Sequence, residues 1–306
     1  MARCQVFRRC PNDEKVLPMP VSSDGLEQHV RVLCEEFSPR DAFHPEQLDR
    51  AAAYIRNAFE ATGGQTFEQS YSVEQTEYRN VIVRFGSETS ERIVVGAHYD
   101  AIEGAVGADD NASGVAGLIE LAHLIDGASL SSTVELVAYT LEEPPFFYTR
   151  QMGSAVHARS LKASSVSVRA MLALEMIGYF SDRPKSQGYP MFFLKPFYPE
   201  RGNFIVVIGK WGQGRLVRRV ETIMQNATSL PVESFVGPRI VPGVNLSDHL
   251  NYWSAGYEAA MITDTAFYRN PNYHTRQDVP ETLDYERMSH VVEGVYAAVQ
   301  AISEQA

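Results

Sequence analysis

At 306 residues, with 44% hydrophobic and 21% charged side chains, the chain can bury a large core and is not compositionally disordered. Its 38 acidic residues outnumber 27 basic ones, a formal charge of −11 that argues against nucleic acid or an anionic membrane as partner and for a cationic ligand or metal. The three cysteines, Cys4, Cys10 and Cys34, form no C-x-x-C pair, so neither a disulfide framework nor a structural zinc knuckle is indicated.

Residues 1–21 read as a loose lead-in and 22–306 as a single domain. The opening carries Arg3, Arg8 and Arg9 without the apolar stretch of a signal peptide. A cytoplasmic protein is expected from the text as written, and a secreted or periplasmic one if a signal precedes it. No apolar run approaches the roughly 18 residues of a membrane span. Two amphipathic helices are predicted near Gly25–Phe37 and Pro45–Ala61, because Leu26, Val30 and Leu33, then Leu48, Ala52, Ile55 and Phe59, recur at helical spacing. The Gly63-Gly64 pair closes the second.

Beyond it, β-rich runs alternate with helical ones. Strands are predicted at "NVIVRF", "RIVVGAHY", "TVELVAYT", "AMLALEMIG", "FIVVIG" and "AAMITD". Helices are predicted from about Ala112, near Met152–Leu161, near Gly214–Thr228 and from about Asp284. Strands apolar on both faces and separated by helices indicate an α/β fold, a mostly parallel mixed sheet with helices on each side. The longest segment without periodicity runs from Ser181 to Asn203. Its Tyr189, Phe192, Phe193, Phe197 and Tyr198 suggest either a pocket wall or packing onto the core.

Ligands of open α/β sheets bind outside the carboxyl ends of the strands, and the acidic residues follow that rule. His98 and Asp100 close one strand, Asp109 and Asp110 precede a helix, Glu142 and Glu143 end a second strand, Glu175 ends a third, and His274 lies in the loop after "AAMITD". A lone Asp at a strand end serves as a cap or turn residue. Several ionised carboxylates on one edge would repel one another and lose hydration unless cations compensated. Imidazoles with carboxylates suit zinc, with cobalt or manganese as substitutes, and their number suggests two ions.

At these spacings the chain resembles the co-catalytic di-zinc aminopeptidases of metallopeptidase family twenty-eight, the group that also contains glutamate carboxypeptidase II, glutaminyl cyclase and the transferrin-receptor ectodomain. The similarity runs from about Asn80 to about Tyr285 through "GAHYD", "GADDNASGVAGLIELA", "LEE", "MIGY", "SDH" and "NPNYHT". It implies a zinc-dependent exopeptidase fold and two divalent ions per chain, with zinc expected. Residue by residue, it gives His98 and Glu175 to the first metal, Asp110 as the bridging carboxylate, and Glu143 and His274 to the second. Glu142 matches the general base that activates a metal-bridging water, and Asp100 is expected to accept a hydrogen bond from the second nitrogen of His98. The family usually has Asp where this chain has Glu175, a longer arm with the same carboxylate.

Asp109 is expected to support the turn without touching metal, Asn111 or Ser113 to cap the following helix, and the glycines of "GADDNASG" to permit close backbone approach. Asp248 and His249 of "SDH" read either as supports for the ligands or as a helix start, and His123 and His157 as structural or exposed. The leading function is hydrolysis of peptides from a free amino terminus. Its rivals are a one-zinc glutaminyl-cyclase-like acyltransferase, a carboxypeptidase of the same family, which would need Arg201, Lys210 or Arg276 in its pocket, and a binding module that has lost its metals.

Overall fold

The computed structural model describes residues 21–86 and 91–304, so all of the expected lead-in except Val21 lies outside the described residues. Eight strands form one sheet: β1 (Gln65–Val73), β2 (Thr76–Phe85), β3 (Glu91–His98), β4 (Thr133–Tyr139), β5 (Ser167–Glu175), β6 (Ile205–Lys210), β7 (Val232–Gly237) and β8 (Ala259–Thr263). Their order is β1-β2-β4-β3-β5-β8-β6-β7. The central four, β4, β3, β5 and β8, run parallel, β2 and β6 pair antiparallel at their flanks, and β7 lies parallel to β6. The expected mostly parallel mixed sheet is therefore present.

Helices α1 (Ser23–Glu35), α2 (Pro45–Glu60), α3 (Gly114–Ile125), α5 (Gly214–Ala227) and α7 (Tyr285–Ser303) pack together with one sheet face around a core that includes Leu26, Ile55, Leu118, Val220 and Val295. Helices α4 (Gly153–Ala163) and α6 (His249–Ala255) cover part of the other face, with Val94, Met171, Tyr252 and Trp253 between. Ser22 caps α1 through a hydrogen bond from Gly25 N, and Asp284 caps α7 from Arg287 N.

β1 and β7 were not predicted, and α6 was anticipated only as one of two readings of "SDH", a helix start at Asp248 and His249. The first two are edge strands whose residues are mostly half-exposed or exposed, so they lack the apolar run that marks the central strands. α6 is only seven residues long, too short to show a period.

β3 is flanked by β4 on one side and β5 on the other, so consecutive strands diverge there. That divergence opens a crevice at the carboxyl ends of the strands. Past β5, the chain from Met176 to Phe204 crosses the sheet edge with only a 3-10 turn at Phe192–Leu194 and an isolated bridge between Ser181 and Gly202.

Candidate metal centre and adjoining cleft

Two strands of the parallel centre, β3 and β5, end in a residue of the cluster, and the segments after β3, β4 and β8 carry the others. His98 is the last residue of β3, paired with Tyr139 at the end of β4. Glu142 and Glu143 follow that end, and Glu175 is the last residue of β5. Leu141 and Met176, adjoining these carboxylates, and His274 itself hold positive φ values of 58°, 51° and 56°. L side chains adopt this conformation only where surroundings enforce it.

Those surroundings are identifiable. Asp100 accepts hydrogen bonds from Glu142 N (3.1 Å) and Glu143 N (3.0 Å), fixing the chain just past Leu141. Asn111 Oδ1 accepts from Met176 N at 3.0 Å, Ser113 Oγ from Ile177 N at 3.0 Å, and Asp109 Oδ1 from Gly178 N at 3.0 Å. The acidic turn thus serves as a bracket for the end of β5.

Asp110 is the centre of the arrangement. Its Oδ1 lies 3.3 Å from His98 Nε2 and its Oδ2 lies 3.1 Å from His274 Nε2. Glu175 Oε2 is 3.4 Å from His98 Nε2, and Glu143 Oε1 is 3.5 Å from His274 Nε2. Two groups result, His98–Asp110–Glu175 and Asp110–Glu143–His274, each with ligand atoms within 4.8 Å of one another. Glu142 stands beside them, its Oε2 3.9 Å from His98 Nε2, and belongs to neither. The five residues read from the sequence as metal-holding are thus brought together, Glu175 included.

The donor chemistry fits divalent cations. His98 Nε2, Asp110 Oδ1 and Glu143 Oε1 are buried without a hydrogen-bond partner, and such atoms are costly unless an ion or water satisfies them. Burial pushes the Glu142 and Glu175 carboxyls above their ordinary range and that of Glu143 up to about 7, where Asp110 adds repulsion. Burial opposes the charged forms of both imidazoles, yet the Glu142 and Glu175 carboxylates raise His98 well above its usual value, and Asp110 and Glu143 raise His274 to about 10. Four carboxyls face two imidazoles, so the ionised carboxylates would outnumber the histidines able to balance them, and cations would supply the difference. Mixed nitrogen and oxygen donors of this kind suit zinc.

One expected contact differs. His98 Nδ1 faces the main-chain carbonyl of Asp100 at 3.1 Å, while the Asp100 carboxylate is 3.6 Å away because it is engaged with the two glutamate amides. Asp109 supports the turn as expected, its Oδ2 accepting from Asn270 Nδ2 at 2.7 Å. Asn111 rather than Ser113 caps α3, accepting from Gly114 N. A Cβ on Gly107, at φ +69°, would stand 2.4 Å from Asp110 O, which is the close approach the glycines were expected to allow.

In "SDH" the contact to the cluster comes from Ser247, whose Oγ donates to Glu175 Oε2 at 2.7 Å. Asp248 is buried at the start of α6, and burial pushes its carboxyl up to about 7. His157 is buried and hydrogen-bonds Tyr252, and His123 is exposed.

Asp278 was missed. Its two carboxylate oxygens accept hydrogen bonds from Asp109 N (2.9 Å) and Asp110 N (3.1 Å), holding the backbone of the central carboxylate. The available signal was a second acidic residue closing the loop that carries His274.

Beside Glu175 opens a cleft of about 800 Å³ including its mouth. Its floor is sheet: Val206 and Ile208 of β6, Phe235 of β7, and Met261 and Thr263 of β8, alternate residues on the face that α4 and α6 cover only in part. Its walls include Tyr189, Leu194, Tyr198, Val244 and Tyr273. Tyr273 also stacks on His274 at 3.7 Å. Of the loop aromatics, Tyr189 and Tyr198 line the cleft, whereas Phe192, Phe193 and Phe197 point to solvent.

A model of peptidase family M28 matches residues 80–299. The chain is 43% identical over 286 residues to the Escherichia coli (strain K12) "Uncharacterized protein YfbL", covering 91% of this chain and 88% of that one. It is 25% identical over 265 residues to "Leucine aminopeptidase 1" of Fusarium vanettenii, covering 79% of this chain but only 60% of that protein's length. The fold is shared with BSAP, a zinc aminopeptidase from Bacillus subtilis (TM-score 0.74, 14% identity, 94% and 96% of the two chains). It is also shared with a Bacteroides thetaiotaomicron glutaminyl cyclase (TM-score 0.70, 18% identity, 92% and 99%). With the family match spanning the strands and loops that carry all seven residues assigned from the sequence, the chain belongs to peptidase family M28.

Proposed function

We propose that this protein is a two-zinc aminopeptidase that removes apolar residues from the free amino termini of peptides. The observation that carries the reading is the pair of three-donor groups sharing Asp110, set against an apolar cleft. His98 and Glu175 would hold one ion, Glu143 and His274 the other, and Asp110 both. When bound, the ions would polarise the scissile carbonyl and make water more acidic.

The remaining work falls to the chain. Glu142, buried beside His98 and outside both groups, accepts the proton of the attacking water and returns it to the leaving amine. Asp100 positions Glu142 and Glu143 by holding their amides, and its carbonyl orients His98. Buried carboxyls outside both three-donor groups, those of Glu142 and Asp248, favour a substrate that brings an α-ammonium. Among the described residues no Lys or Arg lines the cleft, so a terminal carboxylate would find no partner among them, which disfavours the carboxypeptidase reading. The completeness of the second group disfavours a one-zinc cyclase.

The test combines metal analysis with three peptides. Replete protein should hold two ions per chain and release residues stepwise from a free amino terminus, leaving the acetylated peptide intact. Glu142→Gln should keep both ions while kcat falls by roughly two to four orders of magnitude. Equal cleavage of the acetylated peptide, or ring closure of an amino-terminal Gln peptide without hydrolysis, would overturn the proposal.

A further inference from the structure

Arg40 is 1% exposed, and its guanidinium donates four hydrogen bonds, none of them to a carboxylate. Nε binds Tyr99 O at 3.0 Å, Nη1 binds Leu33 O and Val106 O, both at 2.9 Å, and Nη2 binds Gly107 O at 2.8 Å. The main chain of Arg40 joins in, its carbonyl accepting from Ala101 N at 2.8 Å.

These contacts have a pattern. Tyr99 and Ala101 begin the loop that leaves His98, and Val106 and Gly107 end it, three residues before Asp110. One rigid fork therefore ties both ends of the segment joining His98 to Asp110, and Leu33 anchors that fork to α1. Burying a guanidinium is costly, and an apolar side chain of similar volume would fill the space. An apolar side chain would not hold carbonyls from three separate stretches, and neither would an ammonium, which lacks the planar five-donor fork.

We propose that Arg40, which lies ahead of the family-matched residues 80–299, is a positioning residue for the metal centre: it pre-sets the His98-to-Asp110 spacing before metal binds. The inference rests on His98 and Asp110 being ligands. Arg40 touches neither side chain and acts through the backbone.

The test strips the full chain of metal and titrates it with cobalt(II), reading affinity by chelator competition, the visible absorption band, and the unfolding midpoint. Arg40→Lys should weaken cobalt binding by about tenfold or more and alter the band. Val299→Ala, a core truncation in α7, should lower the midpoint and leave both metal readouts unchanged. The inference is overturned if Arg40→Lys keeps the parent's affinity and band, or if Val299→Ala weakens binding as much at equal loss of stability.

A measurement on the unmodified protein covers the case in which the variant does not fold. In the metal-free parent the Ala101 amide should exchange as slowly as those of β3, and rapid exchange there would refute pre-setting. A parent that takes up no cobalt would instead bring down the ligand reading, and this inference with it.

Discussion

The cleft predicts a preference that can be put in numbers. A substrate side chain entering beside Glu175 would meet Val206, Ile208, Phe235 and Met261 on the floor and Leu194 and Val244 on the walls. Extending that side chain from alanine to leucine adds three carbons, each worth about 0.8 kcal/mol when buried, or about 2.4 kcal/mol together. If this stabilises the transition state, leucyl amide should exceed alanyl amide in kcat/KM by about 60-fold. Ile208→Ala removes part of the opposing surface. It should reduce the leucyl-to-alanyl ratio by about fivefold, equivalent to about 1 kcal/mol, with little effect on the alanyl substrate. The assay is initial-rate kinetics on the two amides with parent and variant. A parental ratio near one would refute the assignment of the cleft as the side-chain site. So would an Ile208→Ala variant that slows both substrates equally, because the contact would then not involve the substrate side chain.

Asp278→Asn keeps the shape of the residue that holds the Asp109 and Asp110 amides but turns one acceptor into a donor, leaving a buried N–H without a partner. The expected cost is about 1–3 kcal/mol, read as weaker zinc retention in chelator competition together with a lower unfolding midpoint. His157 tests acid stability away from the metal centre. Burial lowers its pKa to about 4 from an ordinary 6.5, so between those values the unfolded chain binds the extra proton and stability falls as pH falls. The loss attributable to this residue is about 3 kcal/mol from above pH 6.5 to below pH 4. In urea unfolding, His157→Asn should therefore show a shallower decline over that window than the parent, and parallel curves would remove His157 as the cause.

How much of this was legible in the sequence depends on how far each determinant is spread along the chain. The central strands announced themselves because burial on both faces demands continuous apolar runs, and their ends announced the site because acidic residues there have no routine structural use in such number. That argument puts His98, Asp100, Asp109, Asp110, Glu142, Glu143, Glu175 and His274 at one edge, since a parallel sheet delivers its strand ends there, and it is the family resemblance that selects five of them as metal-holding. What stayed hidden is the layer that holds them. Arg40, Asp278 and Ser247 reach the residues they hold around the cluster across 59 to 169 positions in the chain, and no local spacing encodes such a contact. Asp100 shows the same limit more finely. Its place beside His98 was readable, but whether carbonyl or carboxylate faces the imidazole depends on which competing donors the fold brings near. Here two amides at the end of β4 win the carboxylate. The longer arm of Glu175 follows the same logic. Ser247, 72 positions away, engages its Oε2 and helps hold the extended side chain where a shorter Asp would need less support. The residue types that mark the candidate site are thus a property of strand ends and the loops that follow them, whereas their geometry is a property of the whole fold.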